Sequence, residues 1–514
     1  MAHATIIANG TVLTCDAGNR CGRLHIVVSN GRFLNISDNL DRLRDEHPQA
    51  ELFDATGMLV VPGFVNAHYH GESFLLRAAT EGLHFSLWKD EGPLQQAATR
   101  LLHRSSYEDV HSIYRAAYIA HSASGTTCVG EFPPHLDEDA FGYMLNGIAS
   151  NGVVPVVTLQ NWDHIGAIRS LHEKKPRVAV NMGKENDFTV YSIEKLSQAA
   201  KELRAPLLAH IAEQREDVEV VRKNFQKDIL TLLNSFNAIR QNTILIHANH
   251  CSDAEAATVK EANGTVIVCA RSTAVKQTGY PALRHLAKRH VRLALGTDWG
   301  DVDMLAEMRF ISHLPLVVPG LRLFSPLEIL RMATINGAYA LGLSAETGSI
   351  ELGKRADAVL FNAEDIRLPL TLATSSAESL ANIVVNHLSA GDIHAVMMNG
   401  IFTERSTSNR EHFAAFSATA RKFFSEEVLS RPQTHEHATE QSRNVLPFSS
   451  ETRSQQEENE GFEAGFPATL RPSRVVGMAE PANPLVNRPK PQREPQKPEL
   501  PKDTRRVFGE DDDV

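Results

Sequence analysis

Cysteine is scarce in this chain: five residues among 514, Cys15, Cys21, Cys128, Cys251 and Cys269, odd in number and without a C-x-x-C spacing. That excludes a disulfide framework and a cysteine-built structural zinc site, and it points to a reducing, cytoplasmic setting. Long apolar runs are missing as well. No stretch is continuous enough to span a bilayer, and Met1 to Leu13 has neither a basic n-region nor an apolar h-region. An excess of basic charge is also absent: 52 Lys and Arg stand against 62 Asp and Glu, a net charge of −10. A face that neutralises phosphates needs the opposite balance, so nucleic acid is excluded as a partner. A small-molecule substrate is the expectation, and a homo-oligomer stays open.

Histidine is plentiful, with 23 residues. Two of them, His68 and His70, close the segment LVVPGFVNAHYH from Leu59. A strand puts residues i and i+2 on one face, so this pair can bind one metal ion. Three later apolar runs also end in a metal-capable or acid/base group: Pro206 to His210 with Glu213 beyond, Thr243 to His247, and Arg292 to Asp298. Ligands delivered from the ends of several strands are what the mouth of a parallel barrel provides. His247 is preferred over His250 because it ends its apolar run.

From Val65 onward strands and helices alternate, as in Thr126–Val129, Val153–Leu159, Arg177–Asn181, a helix over Ile193–Leu203, and the strand into His210. About eight such strands in series favour an α/β, TIM-like (β/α)8 barrel over an open sheet. Ser105-x-x-Glu108 reads as a capping box, and Ser325-Pro326-Leu327-Glu328 as another with proline at the first helical position. Before the barrel the chain reads as short strands, with turns at Asn9-Gly10 and Asn30-Gly31. After it come β segments at Gly348–Ile350, Ala358–Phe361, Asn382–Val385 and Ala395–Met398, then an amphipathic helix over 411–431. The expected organisation is 1–57 and 346–431 as the two parts of a flanking composite β-sandwich domain, the latter with the terminal helix, 58–345 as the barrel, and 432–514 as a disordered tail too poor in apolar residues to fold.

With its motifs PGFVNAHYH, HIAEQRED, ILIHANH, LALGTD, ATINGAYALGL and GSIELGKRADAVLF, the chain resembles the amidohydrolase superfamily, in its branch of mononuclear deaminases and chlorohydrolases. The resemblance runs from the N-terminal β segments to about residue 404. It implies that His68, His70, His210 and Asp298 bind one divalent metal ion, zinc or iron, that Glu213 shuttles protons and that His247 contacts the attacking water. The chemistry agrees: three imidazoles and a carboxylate suit a divalent cation that lowers the pKa of water. Asp298 is placed to accept the proton of the attacking water, and Glu213, three residues after His210, can then protonate a ring or imine nitrogen and later the leaving ammonia. Lys184 lies just past the fourth strand, where the binuclear branch carries its carboxylated lysine, but His210-x-x-Glu213 favours the mononuclear reading.

The expected function is therefore metal-dependent hydrolysis of C–N bonds other than peptide bonds, by deamination of an N-heterocycle or amidine. The run HIAEQ keeps open a formimino-type imine hydrolase, and the branch itself keeps open a chlorohydrolase. From another class, a non-catalytic scaffold recruiting partners through the tail is disfavoured, because buried ligands kept without a metal are costly. Gln95 and Asn186 stand where nucleoside deaminases of this branch carry a glutamate and a histidine. Both are candidate substrate contacts, and both count against an adenosine-type substrate.

Overall fold

Residues 4–77, 96, 102, 106–134, 136–149, 152–159, 177–280, 282–364, 376–404 and 410–424 are described in the structure, a computed structural model. The chain divides into two units, Met1–Thr434 and His435–Val514. The second lies outside the described residues, as do Gln95 and the tail expected from residue 432. Among the described residues no helix is long and apolar enough to cross a membrane.

A nine-stranded parallel sheet forms the centre. From its first strand, Phe64–His70, it runs through Thr126–Glu131, Val154–Leu159, Arg177–Asn181, Leu207–Ile211, Thr243–His247 and Thr265–Val268 to Arg292–Leu295. Beyond Leu295 the chain continues through Gly296 and Thr297 into a two-residue strand that pairs Asp298 with Tyr69 and Trp299 with His70. The last strand thereby returns to the first, and the curled sheet is a TIM-like barrel.

Strand alternation sorts the side chains. Leu208, Ile244, Ile246, Ile267 and Ala294 meet in one inner cluster, while Leu207, Ala209, Leu245, Leu293 and Leu295 join the cluster shared with the outer helices. The first strand departs from this regularity. Val65 and Ala67 belong to the inner cluster, and after a register irregularity between Asn66 and Tyr69 it is His68 and His70 that turn inward, with Tyr69 outside. The histidines share a face as i and i+2, on a strand that has changed phase just before them.

Two further sheets flank the barrel. One has four strands, in the order Arg32–Ser37, His25–Ser29, Ala4–Ala8 and Glu51–Asp54; the other has six, in the order Ile401–Glu404, Ile393–Met398, Ala358–Asn362, Met58–Pro62, Thr11–Leu13 and Cys21–Arg23. Ile7, Ile26 and Phe33 of the first share a buried cluster with Val12, Val60 and Leu360 of the second. Only the six-stranded sheet combines N- and C-terminal segments; the four-stranded one is built entirely from residues before the barrel.

Several local expectations need correction. Ala4–Ala8 and Thr11–Leu13 lie in different sheets rather than forming a hairpin, whereas His25–Ser29 and Arg32–Ser37 do pair around Asn30 (φ 51°) and Gly31 (φ 72°). The helix Tyr107–Ala123 is capped by Ser106, which accepts from the Asp109 amide, not by Ser105. Gly348–Ile350 is no strand. Asn382–Val385 is helical, because Ser376 accepts the Ser379 amide and starts a helix that carries on through Ile383–His387. A short apolar run has no period of its own to separate a strand from a buried helix. Ser325 and Glu328 do form the capping box ahead of Pro326–Met332.

Candidate active site

Each chemical group sits where a barrel strand ends, and backbone turns aim it. His210 lies in the fifth strand, Leu207–Ile211. Ala212 follows with φ 46°, its amide donating to the buried Glu185 carboxylate, and the turn brings Glu213 to the site. His247 ends the sixth strand with φ 67°, and Asp298 has φ 61°. Left-handed backbone at a residue with a side chain costs on the order of 1 kcal/mol or more and persists only where its surroundings impose it. At His247 it has a geometric purpose: Ile246 already faces the interior, so simple alternation would send the next side chain outward.

The six groups converge. His210 Nε2 is 3.2 Å from His68 Nε2, and Asp298 Oδ1 is 3.4 Å from His68 Nε2 and 3.3 Å from His70 Nε2. His247 Nε2 lies 3.6 Å from Glu213 Oε1 and 3.9 Å from Asp298 Oδ2. Potential ligand atoms of His68, His70 and His210 lie within 4.8 Å of one another, as do those of Glu213, His247 and Asp298. All six residues are buried. Glu72 Oε1 stands 3.6 Å from His70 Nδ1.

Burial pushes His68 down to about 3 and His210 well below the usual imidazole range, so both keep free lone pairs at neutral pH. At His70 burial also pushes down, but the Asp298 and Glu72 carboxylates outweigh it and raise the group to about 9. A cation bound there displaces that proton, the usual exchange of proton for metal. Burial would raise Asp298 and Glu213. At Asp298 the Lys276 ammonium, followed by His68 and His70, holds the carboxyl well below the carboxylate range. At Glu213 His247 and then Lys276 have the same effect.

The donor set fits one divalent cation. Asp298 Oδ1 is buried without a hydrogen-bond partner although it faces two imidazole nitrogens, and an unsatisfied buried carboxylate oxygen is expensive unless a ligand meets it. Three imidazoles with one carboxylate suit zinc or iron rather than magnesium or calcium.

Other positions fall elsewhere. Asn186 is exposed, and its neighbour Glu185 is the buried residue of that turn. His250 Nε2 lies 2.9 Å from the Thr278 carbonyl, away from the cluster. His121 is buried against Asn66 and the Ala117 carbonyl, as a packing residue. The sequence reading missed Lys276 and Ser272 altogether. Both lie on the seven-residue helix Ala270–Lys276 after the seventh strand, and both bond to Asp298. The available signal was their i, i+4 spacing in a segment that follows a barrel strand.

Residues 59–402 match the model of the amidohydrolase family. A 5-methylthioadenosine/S-adenosylhomocysteine deaminase of Moorella thermoacetica is 28% identical over 71% of this chain and 88% of its own length. One from Pyrococcus furiosus is 27% identical over 77% and 94%. Among solved structures, an adenosine deaminase from Xanthomonas campestris with bound zinc superposes with a TM-score of 0.70 at 22% identity, covering 82% of this chain and 98% of its own. An atrazine chlorohydrolase from Arthrobacter aurescens complexed with zinc does so at 0.70 and 16%, covering 81% and 100%. The barrel, the donors at its strand ends and a family match over about two thirds of the 514 residues lead to one assignment: this chain belongs to the amidohydrolase family and is a metal-dependent hydrolase.

Proposed function

We propose hydrolytic deamination of an amino-substituted N-heterocycle, with His68, His70, His210 and Asp298 holding one zinc or iron ion. The observation that carries this reading is the division of labour among buried carboxylates. Asp298 offers an unpaired oxygen to the histidine donors, while Glu213 stands apart from them beside His247. When bound, a divalent ion supplies a Lewis acid that brings the pKa of water toward neutrality.

The chain's own groups do the rest. Water oxygen adds to the ring carbon that bears the amino group, and Glu213, ionised beforehand, accepts the proton that water gives up. Glu213 passes this proton to the adjacent ring nitrogen as the carbon becomes tetrahedral. His247, neither of whose ring nitrogens makes a protein hydrogen bond, can hydrogen-bond the added oxygen. The C–N bond then breaks, the amine leaves as ammonia with the oxygen's remaining proton, and a carbonyl is left on the ring.

Relatives that deaminate adenine-containing substrates support an aminopurine base. The reading stops at the base, because Gln95 and Asn186 depart from the residues that nucleoside deaminases of this branch use on ribose. A screen of ammonia release from aminopurines and their nucleosides, aminopyrimidines, aminotriazines and formimino compounds, with the zinc-loaded protein, tests it. Turnover of an aminopurine is expected. Turnover confined to formimino compounds, or chloride release from chlorotriazines without deamination, would overturn it.

A further inference from the structure

Lys276 is one of the most enclosed charges in the barrel mouth, its side chain 3% exposed. Its Nζ donates to Asp298 Oδ2 at 2.6 Å and to Glu213 Oε1 at 2.7 Å. Ser272, one helical turn earlier, donates to the same Oδ2 at 2.6 Å. The two oxygens of Asp298 are therefore in opposite circumstances: Oδ2 is pinned by a cation and a hydroxyl, and Oδ1 is left toward His68 and His70. The helix that delivers these donors is fixed at its start by the buried Glu307, whose carboxyl group accepts the Ala270 and Arg271 amides.

We infer that Lys276 is a positioning residue that ties the metal-holding carboxylate to the proton-carrying one, fixing Asp298 with one oxygen toward the metal donors and Glu213 on the substrate side. A buried ammonium that serves only packing has no reason to contact two carboxylates of different function, since burying a charge is costly unless its geometry is used. Ser272 shares only the Asp298 half of this arrangement. Groups that orient metal ligands in this way typically affect metal affinity or activity ten- to a hundredfold.

The inference rests on the deaminase reading for its turnover arm, and a zinc arm independent of any substrate separates the two. Zinc affinity is measured by competition with a chromogenic chelator for the full chain, Lys276→Met and Ser272→Ala. Both variants are expected to bind zinc roughly tenfold more weakly. At saturating zinc, Lys276→Met is expected to lose about a hundredfold in kcat with KM within a few-fold, while Ser272→Ala stays within a few-fold in both. In the Glu213→Gln background Lys276→Met is expected to cost no more than about threefold further, because its partner in proton transfer is already gone. This charge-reduced double variant also carries the test if Lys276→Met alone folds poorly. Unchanged zinc affinity in Lys276→Met, or turnover losses that multiply in the double variant, would overturn the inference. A parent without ammonia release on any compound of the screen would overturn the deaminase reading instead, leaving the zinc result to stand by itself.

Discussion

Gly296 lies directly against His68: a Cβ placed on it would come 2.9 Å from the His68 backbone nitrogen, backbone oxygen and Cβ. The chain leaving the eighth strand can approach the first this closely only without a side chain. Gly296→Ala therefore has to push the His68 backbone away from Asp298, two residues on. Overpacking of this kind costs about 1–3 kcal/mol, so melting should shift down by several degrees and zinc affinity should fall with it. A variant with the parent's melting temperature and zinc content would contradict this close approach.

Glu213→Gln keeps the shape of the side chain but cannot carry a proton. Turnover should drop by roughly 10²–10⁴-fold while metal content stays that of the parent, because the proposed donor set of His68, His70, His210 and Asp298 leaves Glu213 out. Elemental analysis alongside kinetics decides the point, and loss of metal in this variant would make Glu213 a ligand.

Asp298→Ala and His68→Ala should each abolish metal retention and turnover together. Because a ligand that binds only the folded state stabilises it by RT ln(1 + [L]/Kd), chelation should lower the melting temperature of the parent and leave these variants where they are. Equal chelator shifts in parent and variants would place the metal elsewhere.

Glu307 links pH to stability. Burial raises its carboxyl to about 8, against the partial relief that Arg271 and the two amides provide. The folded chain thus keeps a proton that the unfolded chain releases above about 4.5, so this contribution is fully present below that pH and is lost as pH rises through 8. Glu307→Gln keeps an acceptor for the amides and removes the titration. Its melting temperature should fall less than the parent's between pH 5 and pH 8; parallel curves would rule this out.

The strand ends carrying His68, His70, His210, His247 and Asp298 were legible because apolar runs closing on a polar group survive as a one-dimensional pattern. The Ser325–Glu328 cap was legible for the same reason, its signal lying within four residues. What was hidden depends on partners far along the chain. Lys276 acquires its meaning from Glu213 and Asp298, 63 and 22 residues away, and Glu185 from an amide 27 residues on. Asn382–Val385 became helix through a cap at Ser376 outside the run that suggested a strand. The phase change before His68 is likewise a property of pairing with the neighbouring strand, and the histidine spacing is the same with or without it.

The pairing of Asp298 with Tyr69 also orders events during folding. His68 and His70 come early in the chain and Asp298 some 230 residues later, the separation spanned by the hydrogen bonds between Asn66 and Thr297. The full donor set exists only once the two ends of the barrel have met, and closing so long a loop is among the most entropically demanding steps the chain faces. With the proposed donor set, capture of the ion is a late event that seals the ring, because a partly synthesised or partly unfolded chain offers only the imidazole cluster. On that assignment the metal serves the fold as a latch before it serves the reaction.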